Sequence, residues 1–270
     1  MKLTIDAVGL LGPGLTDWTQ AAPLLAEPAR WQHSEVVLPP PAGLPPAERR
    51  RVGQSVRLAM AAAAQAVAYS QHDAATLPSV FTSSAGDGQN CHILCEALTE
   101  ATPQLSPTRF TNSVHNAPSG YWSIATACQA CSTSICGFDG SFAAGLLEAG
   151  LLAVSEGSPV LLVAYDVPYP APLAAVRAID ALFATALILN PTPNAPGLAR
   201  LHLHPSTPDA ASSSTAQEST LEHAGLNALR RAVPAARSLP LLSALARRES
   251  TRLWLPTPAT TLLAIDLEPV

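Results

Sequence analysis

Apolar residues along the chain occur in two spacings, short runs typical of buried strands and longer stretches with helical periodicity. The runs predict strands at Leu3–Val8, Ser79–Thr82, Val160–Ala164, Phe183–Leu189, Leu201–His204 and Thr261–Leu267. The helical spacing predicts helices at Pro46–Tyr69, Cys91–Thr99, Ser141–Val154, Ser219–Ala232 and Leu239–Arg247. Strands that alternate with helices predict an α/β fold around a largely parallel, buried sheet.

The prolines and small polar residues predict where these elements are interrupted. Proline clusters such as "LPPPAGLPP" and "NPTPNAPG" indicate loops. The segment "PSTPDAASSSTAQ", which begins at Pro205, is rich in serine, threonine and alanine, and we interpret it as a mobile connection. The sequence therefore predicts an N-terminal domain over residues 1–204 and a small C-terminal tailpiece over residues 205–270.

The composition restricts the classes of partner. Charged residues make up 13% of the chain, below the roughly 25% usual for globular domains, so we expect part of the surface to be covered by a partner protein. The net charge of −5 disfavours nucleic acid. No uninterrupted apolar run reaches the roughly 18 residues of a membrane span, and we expect none. Five cysteines, an odd number, predict no disulfide framework and favour the cytoplasm.

Three of the five cysteines lie close together, between His115 and Phe142, and raise the question of a reactive thiol. A structural zinc site needs four ligands, and Cys128 and Cys131 supply two of them. The other two could come from Cys136, Cys91 and Cys95 only if the fold brought them close. A redox pair needs its first cysteine at a helix N-terminus, whereas the pattern puts Cys128 near a helix C-terminus. We therefore favour buried cysteines that act as small hydrophobic residues.

The stretch that follows Asn116 resembles a known family. The motif "NAPSGYWSI" precedes "STSI" at Ser132 and then a helix rich in glycine and alanine. This order resembles the β-ketoacyl synthases of the thiolase-like superfamily, in which an N-x-x-[SA]-G-x-x-[SA]-I helix precedes a G-P-S-x-S-I strand. The resemblance covers roughly residues 1 to 190. It implies a thiolase-like mixed sheet with covering helices, equivalent to the N-terminal half of a ketosynthase with a reduced C-terminal half.

In the family, the strand runs into an A-T-A-C turn whose cysteine carries the acyl chain. Two ways of aligning this chain with the family motifs place that nucleophile at different residues. The letters "SIATAC" alone suggest Cys128, which lies 12 residues beyond Asn116 and leaves no room for helix, turn and strand. Anchoring on Asn116 and Ile135 gives Asp139, 23 residues beyond Asn116, and accounts for both flanks. We therefore expect the catalytic cysteine to be missing and Asp139 to cap the following helix.

The sequence also lacks the histidine motifs of active ketosynthases, in agreement with the expected loss of the catalytic cysteine. Active ketosynthases carry two histidines in H-G-T-G-T and N-x-G-H motifs, and neither motif occurs in this sequence. His202 and His204 alternate along a predicted strand and share one face of it. We interpret them as solvent-facing strand residues, and a metal-binding pair is the less favoured alternative. We expect no metal site and no cofactor.

A ketosynthase-like chain without nucleophile or histidines resembles the chain-length-factor type of subunit, as in the short homologues of aryl polyene and xanthomonadin-type pathways. The resemblance implies a heterodimer with a full-length catalytic ketosynthase, and contact with an acyl carrier protein through that complex. In the family, the strand matched by 132–137 pairs across the two-fold axis, and the loop matched by 107–116 reaches the partner's acyl pocket. This implies interface or acyl-tunnel roles for Arg109, Phe110, His115, Asn116, Ser134 and Ile135. Core packing of Phe110 and a hydrogen-bonded loop role for His115 stay open.

Two alternatives remain from the sequence. The chain could be an active β-ketoacyl synthase or acyltransferase that uses Cys128 as nucleophile, with His115 or His92 as base. It could also be a structural or regulatory protein with a thiolase-like core outside any carrier-protein pathway.

Overall fold

A mixed eight-stranded sheet forms the centre of the fold in the computed structural model, which describes residues 1–41, 43–204, 216–259 and 261–270. Its strands are β1 (Lys2–Leu11), β2 (Ser79–Ser83), β3 (Ser132–Cys136), β4 (Val160–Asp166), β5 (Phe183–Asn190), β6 (Ala199–His204), β7 (Thr251–Pro256) and β8 (Leu262–Pro269). They lie in the order β3-β2-β4-β5-β1-β6-β8-β7. Strand β2 runs parallel to β3 and β4. The other pairs are antiparallel.

Helices cover both faces of this sheet. They are α1 (Trp18–Ala26), α2 (Pro46–Arg49), α3 (Gln54–Ala68), α4 (Gly88–Leu98), α5 (Pro107–Thr111), α6 (Ala117–Thr126), α7 (Ser141–Glu156), α8 (Ala171–Ala174), α9 (Ala224–Ala232) and α10 (Leu239–Arg247). One hydrophobic core lies between the sheet and helices α1, α7, α9 and α10. A second core lies on the opposite face, beneath α3 and α6.

Helix α7 shows how small residues allow a helix to approach the sheet closely. A Cβ atom at Gly145 would lie 2.5 Å from Cγ2 of Thr82 on β2, so only glycine fits at this contact. The segment Phe138–Glu156, which contains α7, is long and apolar enough by length and composition to cross a membrane, and half of it is buried. Because the buried side of α7 packs against β2 and β4, we assign this helix to the core.

The observed elements confirm the predicted strands and correct three other expectations. The largely parallel sheet is wrong, because β5 and β6 pair with β1 as antiparallel neighbours on its two sides. The long helix predicted over Pro46–Tyr69 is divided into α2 and α3 at residues 50–53, where Gly53 takes the N-cap position of α3. Strand β7 is absent from the predicted strands, because its short sequence "TRLWLP" holds only three consecutive apolar residues and ends in proline.

The predicted domain boundary at residue 204 coincides with the start of residues 205–215, which lie outside the described ranges together with most of the predicted mobile connection. Elements on both sides of the boundary share one sheet, because β8 pairs with β6, and helix α10 packs against α1. The division into an N-terminal domain and a C-terminal tailpiece stays a prediction.

The two edges of the sheet differ in what covers them. At the β7 edge, the backbone N–H of Ser219 donates to the carbonyl of Trp254 at 2.9 Å, and the Ser219 hydroxyl accepts the N–H of Trp254 at 2.9 Å. The segment before α9 therefore covers the middle of that edge. At the β3 edge, no strand among the described residues pairs with the outer side of β3.

Candidate functional site

The carboxyl end of β3 leads through a tight turn into α7. The residues Phe138–Gly140 form a single 3₁₀ turn, and Phe138 has a φ of 50°, a left-handed conformation that is uncommon for a residue other than glycine. The hydroxyl of Ser141 braces the turn: it accepts the N–H of Gly137 at 3.2 Å and lies 2.9 Å from the carbonyl of Ser83. The local backbone is thus held in a strained shape next to Asp139.

Asp139 lies in this turn and is held by arginines. Its carboxylate forms an ion pair with Arg177, and Arg237 lies 3.6 Å from its second oxygen. The N-cap of α7 is Gly140, without a side-chain hydrogen bond, so the predicted capping role of Asp139 is wrong. The ion pairs direct the carboxylate to the arginines instead of to the helix N-terminus.

Arg177 connects this turn to the neighbouring loops. Its guanidinium lies 3.4 Å from the centre of the Phe138 ring, a cation–π contact, and 5.9 Å from the Tyr169 ring. Arg237 also pairs with Glu218 at 3.3 Å. Neither arginine is among the residues predicted from the sequence; they lie in the loop after α8 and in the 3₁₀ segment Pro234–Ser238. No local sequence signal marks them, because they are brought to Asp139 only by the tertiary fold.

A buried carboxyl group, Asp166, ends β4 beside this turn. One of its oxygens accepts the backbone N–H of Ser84 at 2.9 Å, and the other accepts that of Ala235 at 2.7 Å. Burial raises the pKa of Asp166 to about 6, while hydrogen bonds from Ser84 and Ala235 and the charge of Arg177 act in the opposite direction. Asp166 therefore joins the carboxyl ends of two strands to the C-terminal helices.

Cys128 lies at the other end of the sheet. Helix α6 ends just before it, with Ala127 in a left-handed conformation, and the buried Cys128 thiol donates to the carbonyl of Leu77 at 3.4 Å. Leu77 precedes β2, whereas Asp139 follows β3. Because β2 and β3 are parallel, the length of β3, about 15 Å at 3.3 Å per residue, separates the two positions.

The two bases suggested for Cys128 have other partners. His115 Nε2 lies 2.8 Å from the carbonyl of Ile135, near the carboxyl end of β3, and His92 pairs with Glu96 at 3.2 Å along α4. The structure therefore does not bring Cys128 and His115 together. The expectation of buried cysteines is wrong for four of the five: all are free thiols, and those exposed are Cys91, Cys95, Cys131 and Cys136.

The candidates Arg109, Phe110 and Asn116 lie at the surface, on α5 and at the start of α6. Phe110 is 64% exposed, which excludes the alternative of core packing for this residue. The side chain of Arg109 on α5 is exposed, and its carbonyl accepts a hydrogen bond from the Asn90 amide at 2.8 Å. Asn116 takes the N-cap position of α6 without a side-chain cap, and it is exposed as well.

The strand candidates Ser134 and Ile135 lie on β3 itself. The hydroxyl of Ser134 lies 3.1 Å from that of Ser119 on α6, and Ile135 packs partly buried against the core. A groove of about 450 Å³ is lined by residues in and around α2, α5 and α6, among them Val114, Asn116 and Ile124. Ser134 and Ile135 therefore lie on the open edge strand and His115 is bonded to it, whereas Arg109, Phe110 and Asn116 lie on α5 and at the start of α6.

His202 and His204 lie far from this turn, on β6. Both belong to the same face of the strand, as the alternation predicts, and their ring centroids are 4.0 Å apart.

The candidate site is thus a tight turn between a strand and a helix of a mixed α/β sheet, with the Asp139 carboxylate paired with two arginines. A family model described as β-ketoacyl synthase, N-terminal domain, matches residues 18–250. The chain belongs to this β-ketoacyl synthase family. A search of curated protein sequences finds no match.

Solved structures with a similar fold include several ketosynthase assemblies. The ketosynthase ApeO in complex with its chain length factor ApeC from Xenorhabdus doucetiae gives a TM-score of 0.69 at 21% identity, over 99% of both chains. The ishigamide ketosynthase/chain length factor gives 0.71 at 13% identity, over 100% of both. AntDE:AntF, a type II acyl carrier protein in complex with its ketosynthase, gives 0.73 at 13% identity, over 100% of this chain and 99% of that one. At these identities the similarity shows the fold.

Proposed function

We propose that this chain is a non-catalytic, chain-length-factor-like subunit that pairs with a catalytic β-ketoacyl-ACP synthase in carrier-bound chain elongation. The observation that carries the proposal is Asp139, a carboxylate paired with Arg177 in the turn where the family has its nucleophilic cysteine. Condensation through a thioester needs a thiolate at this position. Cys136, three residues before Asp139, donates its thiol to the Ser84 carbonyl at 2.7 Å.

The open edge of the sheet supports pairing with a second subunit. The outer side of β3 offers backbone groups that a partner strand can bond, and proteins normally cover such an edge. The chain also leaves more than half of the side chains of Phe110, Val114 and Ile124 exposed, on α5, between α5 and α6, and on α6. Charged residues make up only 13% of the chain, in keeping with a large interface.

The finer parts of the proposal concern the pathway and the compartment. We place the complex in aryl polyene-type elongation on an acyl carrier protein, supported by the sequence resemblance and by the similarity to the ApeO–ApeC and AntDE:AntF assemblies. We place it in the cytoplasm because all five cysteines are free thiols.

The first experiment is native mass spectrometry of the chain purified from its own host, with bound partners and acyl adducts identified. We expect a one-to-one complex with a longer ketosynthase that carries any acyl adduct itself. A homodimer with an acyl group on Cys128 would overturn the proposal, and so would a Cys128→Ala variant that abolishes turnover of the assembled complex.

A variant of the β3 edge tests the interface. The N–H of Ser79 donates to Cys131, so by the alternation of a parallel pair the N–H of Ser134 points away from β2. Ser134→Pro removes this outward donor and keeps the bonds to β2. We expect loss of the complex, whereas Ser134→Ala, which loses the same hydroxyl but keeps the N–H, should retain it. A folded Ser134→Pro chain that still binds the ketosynthase would contradict this interface.

A further inference from the structure

Helices pack on both faces of the sheet, but no helix among the described residues covers one of these faces at β6, β8 and β7. Alternate residues of β6 point into the core, among them Leu201 and Leu203, and this side is covered by α10 and its neighbours. The residues between them, Arg200, His202 and His204, lie on the opposite face, which contributes nothing to the second core. Two histidines are thus displayed side by side at the surface.

The strand register adds a carboxylate to this pair. In the antiparallel β6–β8 pairing, His202 stands directly opposite Asp266, and His204 follows two residues further on the same face. The Nε2 atom of His204 lies 2.7 Å from a carboxylate oxygen of Asp266. One ligand atom from each of the three residues lies within 4.8 Å of the other two.

We propose that His202, His204 and Asp266 bind a divalent transition metal ion such as Ni²⁺ or Zn²⁺. Bonds of about 2.0–2.2 Å from one ion to imidazole nitrogen and carboxylate oxygen put the ligand atoms roughly 3.3–4.2 Å apart. The three side chains need only small rotations to reach this spacing. Two imidazoles and a carboxylate form a donor set that suits Zn²⁺, Ni²⁺, Cu²⁺ and Fe²⁺.

Arg252 on β7 orients the carboxylate of this site. Its Nε lies 2.6 Å from one oxygen of Asp266, and its terminal nitrogen lies 2.8 Å from the other. Metal-binding carboxylates are commonly held by such outer hydrogen bonds. The ion would replace the hydrogen bond between His204 and Asp266, and Asp266 would then bridge the ion and Arg252.

A cavity of about 460 Å³ opens beside His202 and Asp266. Its lining includes Lys2, Thr4, Asn194 and Glu268, together with His202 and Asp266. The cavity gives an ion access from solvent and leaves space for water on the coordination positions that three protein ligands do not fill.

The metal site and the proposed subunit interface are separate. Strand β6 is divided from the β3 edge by β2, β4, β5 and β1. The failure of one proposal therefore leaves the other untouched.

The test is calorimetric titration of the full, metal-stripped chain, carrying a tag without histidine, with Ni²⁺ alone and with Zn²⁺ alone. We expect one ion per chain. His202→Gln and His204→Gln should each weaken binding roughly tenfold or more. His33→Gln, which changes an exposed histidine elsewhere, should bind as the original chain does.

A cysteine control separates this site from adventitious thiol binding. Cys91 and Cys95 are exposed and lie one turn apart on α4, and they could bind Zn²⁺. The Cys91→Ser/Cys95→Ser variant should keep its Ni²⁺ affinity. Loss of binding in this variant, with full binding in His202→Gln/His204→Gln, would overturn the proposal. A folded chain that binds neither ion would overturn it as well.

Discussion

Replacing Asp166 with asparagine should remove one source of pH dependence from the stability of the chain. Asp166 is 3% exposed, and its two oxygens accept backbone N–H groups from Ser84 and Ala235. Burial disfavours the ionised form in the folded state and raises the pKa of this carboxyl from 3.8 to about 6.

The sign of the effect follows from proton binding. The folded chain holds the Asp166 proton more tightly than the unfolded chain does, so this group contributes its full stability below a pH of 3.8 and loses it as the pH rises through about 6. The rise in pKa from 3.8 to about 6 corresponds to about 3 kcal/mol of unfolding free energy.

The asparagine side chain in Asp166→Asn cannot ionise, so its effect on stability should be constant with pH. The amide can accept one of the two N–H groups but not both, and this costs about 1–3 kcal/mol. The stability advantage of the original chain over Asp166→Asn should therefore be largest below about pH 3.8 and shrink by about 3 kcal/mol from there towards about pH 7.

Urea unfolding of both proteins, followed by tryptophan fluorescence across this pH range, measures the difference. Subtraction of one curve from the other cancels the carboxyl groups that the two proteins share. A difference that does not change with pH would refute the reasoning, because it would mean that Asp166 has the same pKa in the folded and unfolded chains.

Two further predictions concern the turn after β3 and can be checked by the same urea unfolding. Gly140→Ala should lower the unfolding free energy by about 3 kcal/mol, because the new Cβ would lie 2.3 Å from the backbone nitrogen of Pro258. As a control, Gly120→Ala places its Cβ with no atom within 4 Å and should raise the unfolding free energy by about 0.5–1 kcal/mol. Arg177→Ala should cost about 2 kcal/mol, and Arg177→Lys should recover less than half, because an ammonium group lacks the planar surface that stacks on Phe138. A lysine variant as stable as the original would contradict the stacking argument.

The buried strands are well predicted from the sequence because burial on both faces leaves a continuous apolar run. The prediction at Val160–Ala164 falls within β4, whose seven residues are all buried. The same reasoning misses β7, where only alternate residues are buried and a proline ends the strand. The helical periodicity also continues through residues 50–53, so the sequence predicts one helix where the backbone forms two, separated before Gly53.

At the candidate site, too, some features can be predicted from residues close together in the sequence, and others depend on the folded chain. The position of Asp139 follows from spacing along the chain, since the strand, turn and helix that hold it are consecutive. Its ion pairs do not follow from spacing, because Arg177 and Arg237 come from distant segments and meet Asp139 only in the folded chain. For the same reason, His202 and His204 are visible as a pair in the sequence, but Asp266 joins them only through strand register.

The unequal edges of the sheet have a consequence for the size of any assembly built through it. Ser219 occupies the backbone groups of Trp254 in the middle of β7, so within the part of the chain that the structure describes, the free edge is that of β3. Pairing of β3 with the outer edge of β7 in the next molecule would repeat indefinitely and give a fibre. With the β7 edge closed in this way, an assembly that adds a sheet at the β3 edge would end at two chains, and loss of the Ser219 contacts would open a route to longer ones.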